Sequence, residues 1–224
     1  MTQPQPWLVL IADLKASRAL AEADRRRVDA ALRRAVARVL RTHAREFRLP
    51  PQILRGDELQ AVLRPDAPAL AILTQLRARV ITGARLRVQL RAGLGRGAAL
   101  KLSRRGPFES EGEAFHRARA ALDAVKRTAG GLTAIDTGRA RFDRVANAAL
   151  GVADASWNGW TLPQWEAVAG RIEHKVLQGL ARELGVSFQS IAKRLRAAHW
   201  PELQRFLEAL DAELAWDGAQ PAQP

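Results

Sequence analysis

The 224 residues contain no cysteine, which excludes a disulfide framework and any thiolate-ligated metal. The four histidines, His43, His116, His174 and His199, are scattered and offer no metal-ligand spacing. No apolar run approaches the ~20 residues that a membrane-spanning helix needs. The first six residues carry no basic region, and the run Trp7 to Ala12 is too short for a secretory signal. A cytoplasmic protein with no membrane partner is therefore expected. No grouping of Ser, His and Asp stands out as a nucleophile motif. Gly93 to Gly97 has glycines but lacks the strand–GxxxxGK[ST]–helix context of a phosphate loop. It reads better as a place where backbones approach closely. Lysine is scarce too: only five of the 36 basic residues are lysine, the rest arginine.

What is present is a hydrophobic content of 47%, enough for a real core in one large domain or two small ones. The net charge of +13 is unevenly spread. Residues 1–155 hold 29 basic and 15 acidic side chains, and those from 156 onward hold seven and eight. A positive field of that size favours polyanions or nucleotides, with a solvated arginine surface as the plain alternative.

In chain order, residues 7–12 form a continuous apolar run, as expected of a central strand covered on both faces. Residues 22–47 follow a helical pattern with Val28, Leu32 and Val36 on one face and arginines on the rest. Pro50 and Pro51 are expected to stop that helix. Gln52 to Leu63 reads as two strands joined by a tight turn, with Gly56, Asp57 and Glu58 at the tip. A second helix is expected at 69–80, and a strand at 85–94 with strict alternation of Leu86, Val88, Leu90, Ala92 and Leu94 against Arg85, Arg87, Gln89 and Arg91. The order β-α-β-β-α-β is the split βαβ, ferredoxin-like arrangement. A short strand at 98–103, a helix at 113–127, a strand at 132–135 and a helix at 139–150 should follow.

Five of the six tryptophans lie at or after 157. On that shift, residues 1–155 are expected to form a palm-like α+β domain and 156–216 an all-α helix-turn-helix domain, followed by a disordered tail at 217–224. Leu180, Ala181 and Leu184 give one helix an apolar face, and Gly185 suits a left-handed helix end. Ser187 can cap the next helix, anchored by Ile191 and Leu195. Ser187, Gln189, Ser190, Lys193 and Arg194 are then left for DNA, as on a recognition helix. The near-neutral charge of this part lacks the basic footprint of most DNA binders, so packing or dimerisation is the other use of the module. Trp157, Trp160 and Trp165 are read as core.

Asp13 ends the first strand, and Asp57 and Glu58 sit on the hairpin tip. Acids at the ends of neighbouring strands can hold a divalent metal against a nucleotide, because Mg²⁺ takes hard oxygen ligands from one or two carboxylates plus phosphates. Gly-Asp is also ordinary turn chemistry. Ser17 is a helix cap or a phosphate contact, and Arg117 and Arg119 are phosphate contacts or helix surface.

Ala12-Asp13 with Ser17-Arg18, then Gly56 to Gln60, Gly93 to Gly95, Gly112 to Arg119 and the helix-turn-helix resemble the SatD family over nearly the whole chain. The first part also looks distantly like the palm of class III nucleotide cyclases and GGDEF-type diguanylate cyclases. That resemblance implies metal ligation by Asp13 and Asp57 with Glu58 as a third carboxylate, Mg²⁺ as cofactor, and phosphate contacts from Ser17, Arg18, Gly56, Arg117 and Arg119. The turn lacks the doubled glycine of the diguanylate cyclases, and no base-selecting Lys/Asp pair or transition-state Arg/Asn pair is found. The implied function is a regulatory, homo-oligomeric protein that binds a nucleotide and contacts DNA or a partner. An active nucleotidyl cyclase and a DNA-binding regulator with an inert palm are the alternatives.

Overall fold

The computed structural model describes residues 6–15, 19–54, 57–173 and 175–215. The first apolar run becomes β1 (Pro6–Leu14), with Leu8, Leu10 and Ala12 against one layer and Val9 and Ile11 against the other. Next come α1 (Glu22–Thr42), β2 (Phe47–Ile53), β3 (Leu59–Leu63), α2 (Ala69–Ala84), β4 (Leu90–Lys101) and β5 (Glu111–Gly112). They lead to α3 (Glu113–Arg127), β6 (Thr133–Asp136) and α4 (Ala140–Gly159). The remainder is helical: α5 (Leu162–Ile172), α6 (Leu177–Leu184), α7 (Phe188–Ala197) and α8 (Trp200–Ala215).

Among the described residues the strands form one six-stranded sheet in the order β2-β3-β1-β4-β5, and β6 pairs with β4 in parallel. The first four strands are antiparallel neighbours, the pairing that the β-α-β-β-α-β order dictates. Helices α1 and α2 cover one face. On the other, α3 lies directly over β4, because Gly93 and Gly95 leave no side chain between strand and helix. A methyl group built on Gly95 would overlap the Ala114 carbonyl and Ala118 nitrogen and lie 2.9 Å from Ala118 Cα.

Three expectations need correction. The alternating segment 85–94 and the strand at 98–103 are one continuous strand that starts at Leu90. Upstream of it, Arg85 takes a left-handed conformation (φ 52°) at the end of α2. The reason is pairing: β1 ends at Leu14, opposite Leu90, so residues 85–89 have no strand to join. The first helix ends at Thr42 rather than near 47. Pro50 and Pro51 lie inside β2, an edge strand, at the point where its register against β3 slips between Leu49 and Gln52, so their missing N–H groups fall in the irregularity.

Helix α4 runs unbroken across the boundary expected at 155/156, and the helices beyond it share the main core with the sheet. Trp157, Trp160, Trp165, Leu180, Ile191, Leu207 and Leu214 belong to the same buried cluster as Leu8, Leu32 and Leu73. Two buried polar links tie these layers. Arg77 on α2 is 2% exposed and donates to Leu90 O (3.0 Å) and Leu132 O (2.7 Å), with its guanidinium over the Trp157 ring. Asp154 on α4 accepts from Leu132 N, Thr133 N and Thr133 Oγ1. Burial draws the Arg77 guanidinium down to about 10, with Asp154 opposing the shift. Among the described residues no helix is long and apolar enough to cross a membrane.

A third link is Asp211 on α8. Helix α2 starts at Ala69 without a side-chain cap of its own. Asp211 supplies one from a distance, accepting from Leu70 N (2.8 Å) and Ala71 N (3.2 Å). Burial pushes its carboxyl up to about 7, against the pull of those N–H donors. A carboxyl raised on folding stabilises below its unfolded pKa and loses that contribution as pH rises through the folded value. Thermal melts of the wild type and Asp211→Asn should therefore converge as pH climbs from about 4 to about 7, the wild type losing stability relative to the variant. A difference in melting temperature that stays flat over that range would show that Asp211 does not titrate there.

Candidate functional site

At one end of the sheet, the β1–β3 register runs to Ala12 opposite Leu59. The next residues along, Asp13 and Glu58, face each other across the pair, and Arg91 on β4 is the registered partner of Asp13 on its other side. Alternation along the strands turns all three toward α3, the side on which Val9 and Ile11 meet Ala118 and Leu122. Arg119 and Lys126 come down from α3. They are seven residues, two turns, apart and so share one helix face.

The row is closed by ion pairs. Asp13, 9% exposed, takes Arg91 Nε on Oδ1 (3.0 Å) and Lys126 Nζ on Oδ2 (2.8 Å). Glu58 takes Arg119 through both oxygens (2.6 and 2.8 Å) and also accepts from Gln60 Nε2 (3.0 Å). The hydrogen bond from Arg119 holds the Glu58 carboxyl below the usual carboxylate range, although burial opposes it. The same bond raises the Arg119 guanidinium, which also feels Asp123 and Asp13. Two carboxylates and three cations thus form one compact network. Among the described residues, no three His, Asp or Glu side chains group as a metal site.

The expected site residues are distributed as follows. Asp13 and Glu58 meet in the network, with Asp57 beside Glu58 at the hairpin tip, and Arg119 is in it. Arg117 is elsewhere: its guanidinium donates to Arg96 O (2.6 Å) and Thr137 O (2.9 Å) and pairs with Glu113, so it staples α3 to β4 and the segment after β6. Ser17, Arg18 and Gly56 lie outside the described residues. Sequence reasoning missed Arg91 and Lys126. Arg91 had a signal in its place on the polar side of the alternating strand. Lys126 had one in its heptad spacing from Arg119.

The α6–α7 pair has the expected punctuation. Gly185 ends α6 in the left-handed conformation (φ 65°), and the Ser187 hydroxyl accepts from Ser190 N (3.2 Å). Ile191 and Leu195 are buried. Ser187, Gln189 and Lys193 are exposed, and Ser190 and Arg194 are half-buried. Arg194 leans toward Glu166 on α5 (3.8 Å).

The chain is thus a mixed α+β protein with a largely antiparallel sheet and an ion-paired row of acids and cations at one end. The model of the SatD family matches residues 7–203, and the chain belongs to that family. No curated protein matches it. Among solved structures it is similar to class III-type cyclase domains. A bacterial light-regulated adenylyl cyclase aligns at 12% identity and a TM-score of 0.43, over 60% of this chain and 44% of that one. The guanylate cyclase domain of RhGC from Catenaria anguillulae, in complex with GTP, aligns at 14% identity and 0.40, over 55% and 75%. A class III adenylyl cyclase-like ATP-binding protein from Pseudomonas aeruginosa aligns at 16% identity and 0.39, over 62% and 34%. The chain therefore spans less than half the length of two of these proteins. Likeness at these scores is one of outline.

Proposed function

We propose that this SatD-family chain is a regulatory protein that binds a nucleoside polyphosphate with Mg²⁺ at the Asp13–Glu58 end of its sheet. The observation that carries the reading is the convergence of Arg91, Arg119 and Lys126 on those two carboxylates. Every carboxylate oxygen of the pair already faces a cation. A divalent ion arriving alone would have to displace cations that then lack a counter-charge. The donor chemistry suits Mg²⁺, but only together with an anion that takes over the freed cations. Asp13, Asp57 and Glu58 would then hold the metal, which would neutralise phosphate charge. Arg91, Arg119 and Lys126 would bind the phosphate oxygens, Arg119 through the same two nitrogens that now grip Glu58. Ser17, Arg18 and Gly56 flank this end in sequence and belong to the same proposal as phosphate contacts.

The unit α6–turn–α7, read as a helix-turn-helix, would transmit occupancy by contacting DNA or a partner through Ser187, Gln189, Ser190, Lys193 and Arg194. Association into a homo-oligomer is part of this reading and is measured by light scattering. Thermal-shift melts with ATP and GTP test the nucleotide site. A ligand at about 100 times its Kd stabilises by about 2.7 kcal/mol. The expected result is a shift with nucleotide plus Mg²⁺ and none with Mg²⁺ alone. A shift from Mg²⁺ alone, or none with any nucleoside polyphosphate, would end the proposal.

A further inference from the structure

Helix α1 carries seven arginines in 21 residues, yet its ion pairs use only some of them. Arg26 and Arg27 are taken by Glu22 and Asp24, and Arg38 by Glu173. Arg25, Arg33, Arg34 and Arg41 are exposed with no side-chain hydrogen-bond or ion-pair partner among the described residues, and the last three lie on the outer face. The apolar face of α1, built on Val28, Leu32, Val36 and Val39, is fully used against α2 and the sheet.

On the outer face, Ala23, Ala30 and Ala37 recur every seven residues and form a low floor. Arg26 and Arg33 rim it on one side, and Arg34 and Arg41 on the other. Within each rim the two arginines are about 10.5 Å apart along the axis. Arg34 and Arg38 also line a cleft of about 520 Å³, but Glu166, Glu173 and Glu183 line it too and offset its charge, so the unpaired arginine face ends at Arg34.

We infer that the solvent face of α1 is a docking surface for the phosphodiester backbone of a nucleic acid, held by Arg33, Arg34 and Arg41. Charge complementarity chooses the partner. Three unpartnered guanidiniums on the outer face of one helix are matched by a regular row of phosphates, each of which takes two guanidinium N–H groups. The alanine floor lets such a backbone approach closely. It offers an anionic membrane nothing to insert, since an interfacial helix needs bulky apolar residues on its exposed face. The contact is sequence-independent and does not depend on whether α7 reads bases or the sheet binds a nucleotide.

The test uses the full chain and a short mixed-sequence DNA duplex, followed by fluorescence anisotropy over a salt series. Triple substitution R33Q/R34Q/R41Q removes exposed charge and should leave the melting temperature unchanged. The expected result is that this variant binds at least about tenfold more weakly. Its slope of log K against log salt should be flatter by about 2–3, since each phosphate contact contributes about 0.9. K193A in the same series separates α7, and its loss should leave most of the affinity in place. Absence of duplex binding by the wild type, or equal affinity and slope in the triple variant, overturns the inference. So does binding to phosphatidylserine vesicles without binding to the duplex.

Discussion

Gly95→Ala should leave the protein largely unfolded at ambient temperature, and any folded fraction should lack the Glu58–Arg119 pair. The added methyl meets backbone on both sides, the Ala114 carbonyl and the Ala118 nitrogen, rather than a side chain that could rotate away. Overpacking a core costs about 1–3 kcal/mol when side chains can adjust and more when they cannot. Here α3 as a whole would have to lift off β4. That helix carries Arg119 and Lys126 into the acidic row, so stability and site geometry fall together. Gly151→Ala is the control: nothing lies within 4 Å of the position, and alanine in an exposed helix is worth up to about 1 kcal/mol over glycine. Circular dichroism melts read both. A Gly95→Ala protein that melts within a degree or two of the wild type would mean that α3 does not lie on β4 as closely as described.

Arg77→Ala should cost about 2–5 kcal/mol, the range for truncating a large, fully buried side chain to alanine. Against a total stability of about 5–15 kcal/mol, that is a large share. The substitution strands the carbonyls of Leu90 and Leu132, leaves a void under Trp157 and removes the charge that opposes the raised pKa of Asp154. Arg77→Met fills most of the volume and should recover part of the loss. The remainder measures the two hydrogen bonds and the charge. Urea unfolding monitored by tryptophan fluorescence reads the series. Equal stability of Arg77→Ala and wild type would mean that the guanidinium links nothing.

Several parts of this fold are legible in the residues alone. The alternation of Leu90, Ala92 and Leu94, the apolar face of α1 built on Val28, Leu32 and Val36, and the hairpin around Asp57 point to the right elements in the right order. Other features depend on partners far along the chain. Arg85 to Gln89 alternate as a strand does, but whether they pair depends on where β1 ends. Pro50 and Pro51 read as a helix stop, and only the sheet order reveals an edge strand that tolerates them. The tryptophans past 157 suggest a separate core, yet Trp157 packs under Arg77 in the shared one. The acids of the candidate site could be picked out because they end strands. The cations that neutralise them could not, since Arg91 reaches Asp13 through sheet register and Lys126 reaches it through helix packing. Any of 31 arginines could have filled those places as far as composition goes.

The partner exchange proposed for the Asp13–Glu58 row is tested most directly by calorimetric titration of ATP and GTP into the wild type and Asp13→Asn, each with and without Mg²⁺. In the wild type, Mg²⁺ should strengthen nucleotide binding. In the variant, Arg91 and Lys126 have no carboxylate to hold them. Metal-free nucleotide should then bind more tightly than to the wild type, by about tenfold or 1.4 kcal/mol, and Mg²⁺ should add little. Metal-free affinity that is unchanged or lower in Asp13→Asn would contradict the exchange, because it would mean that the cations of this row are not what the nucleotide competes for.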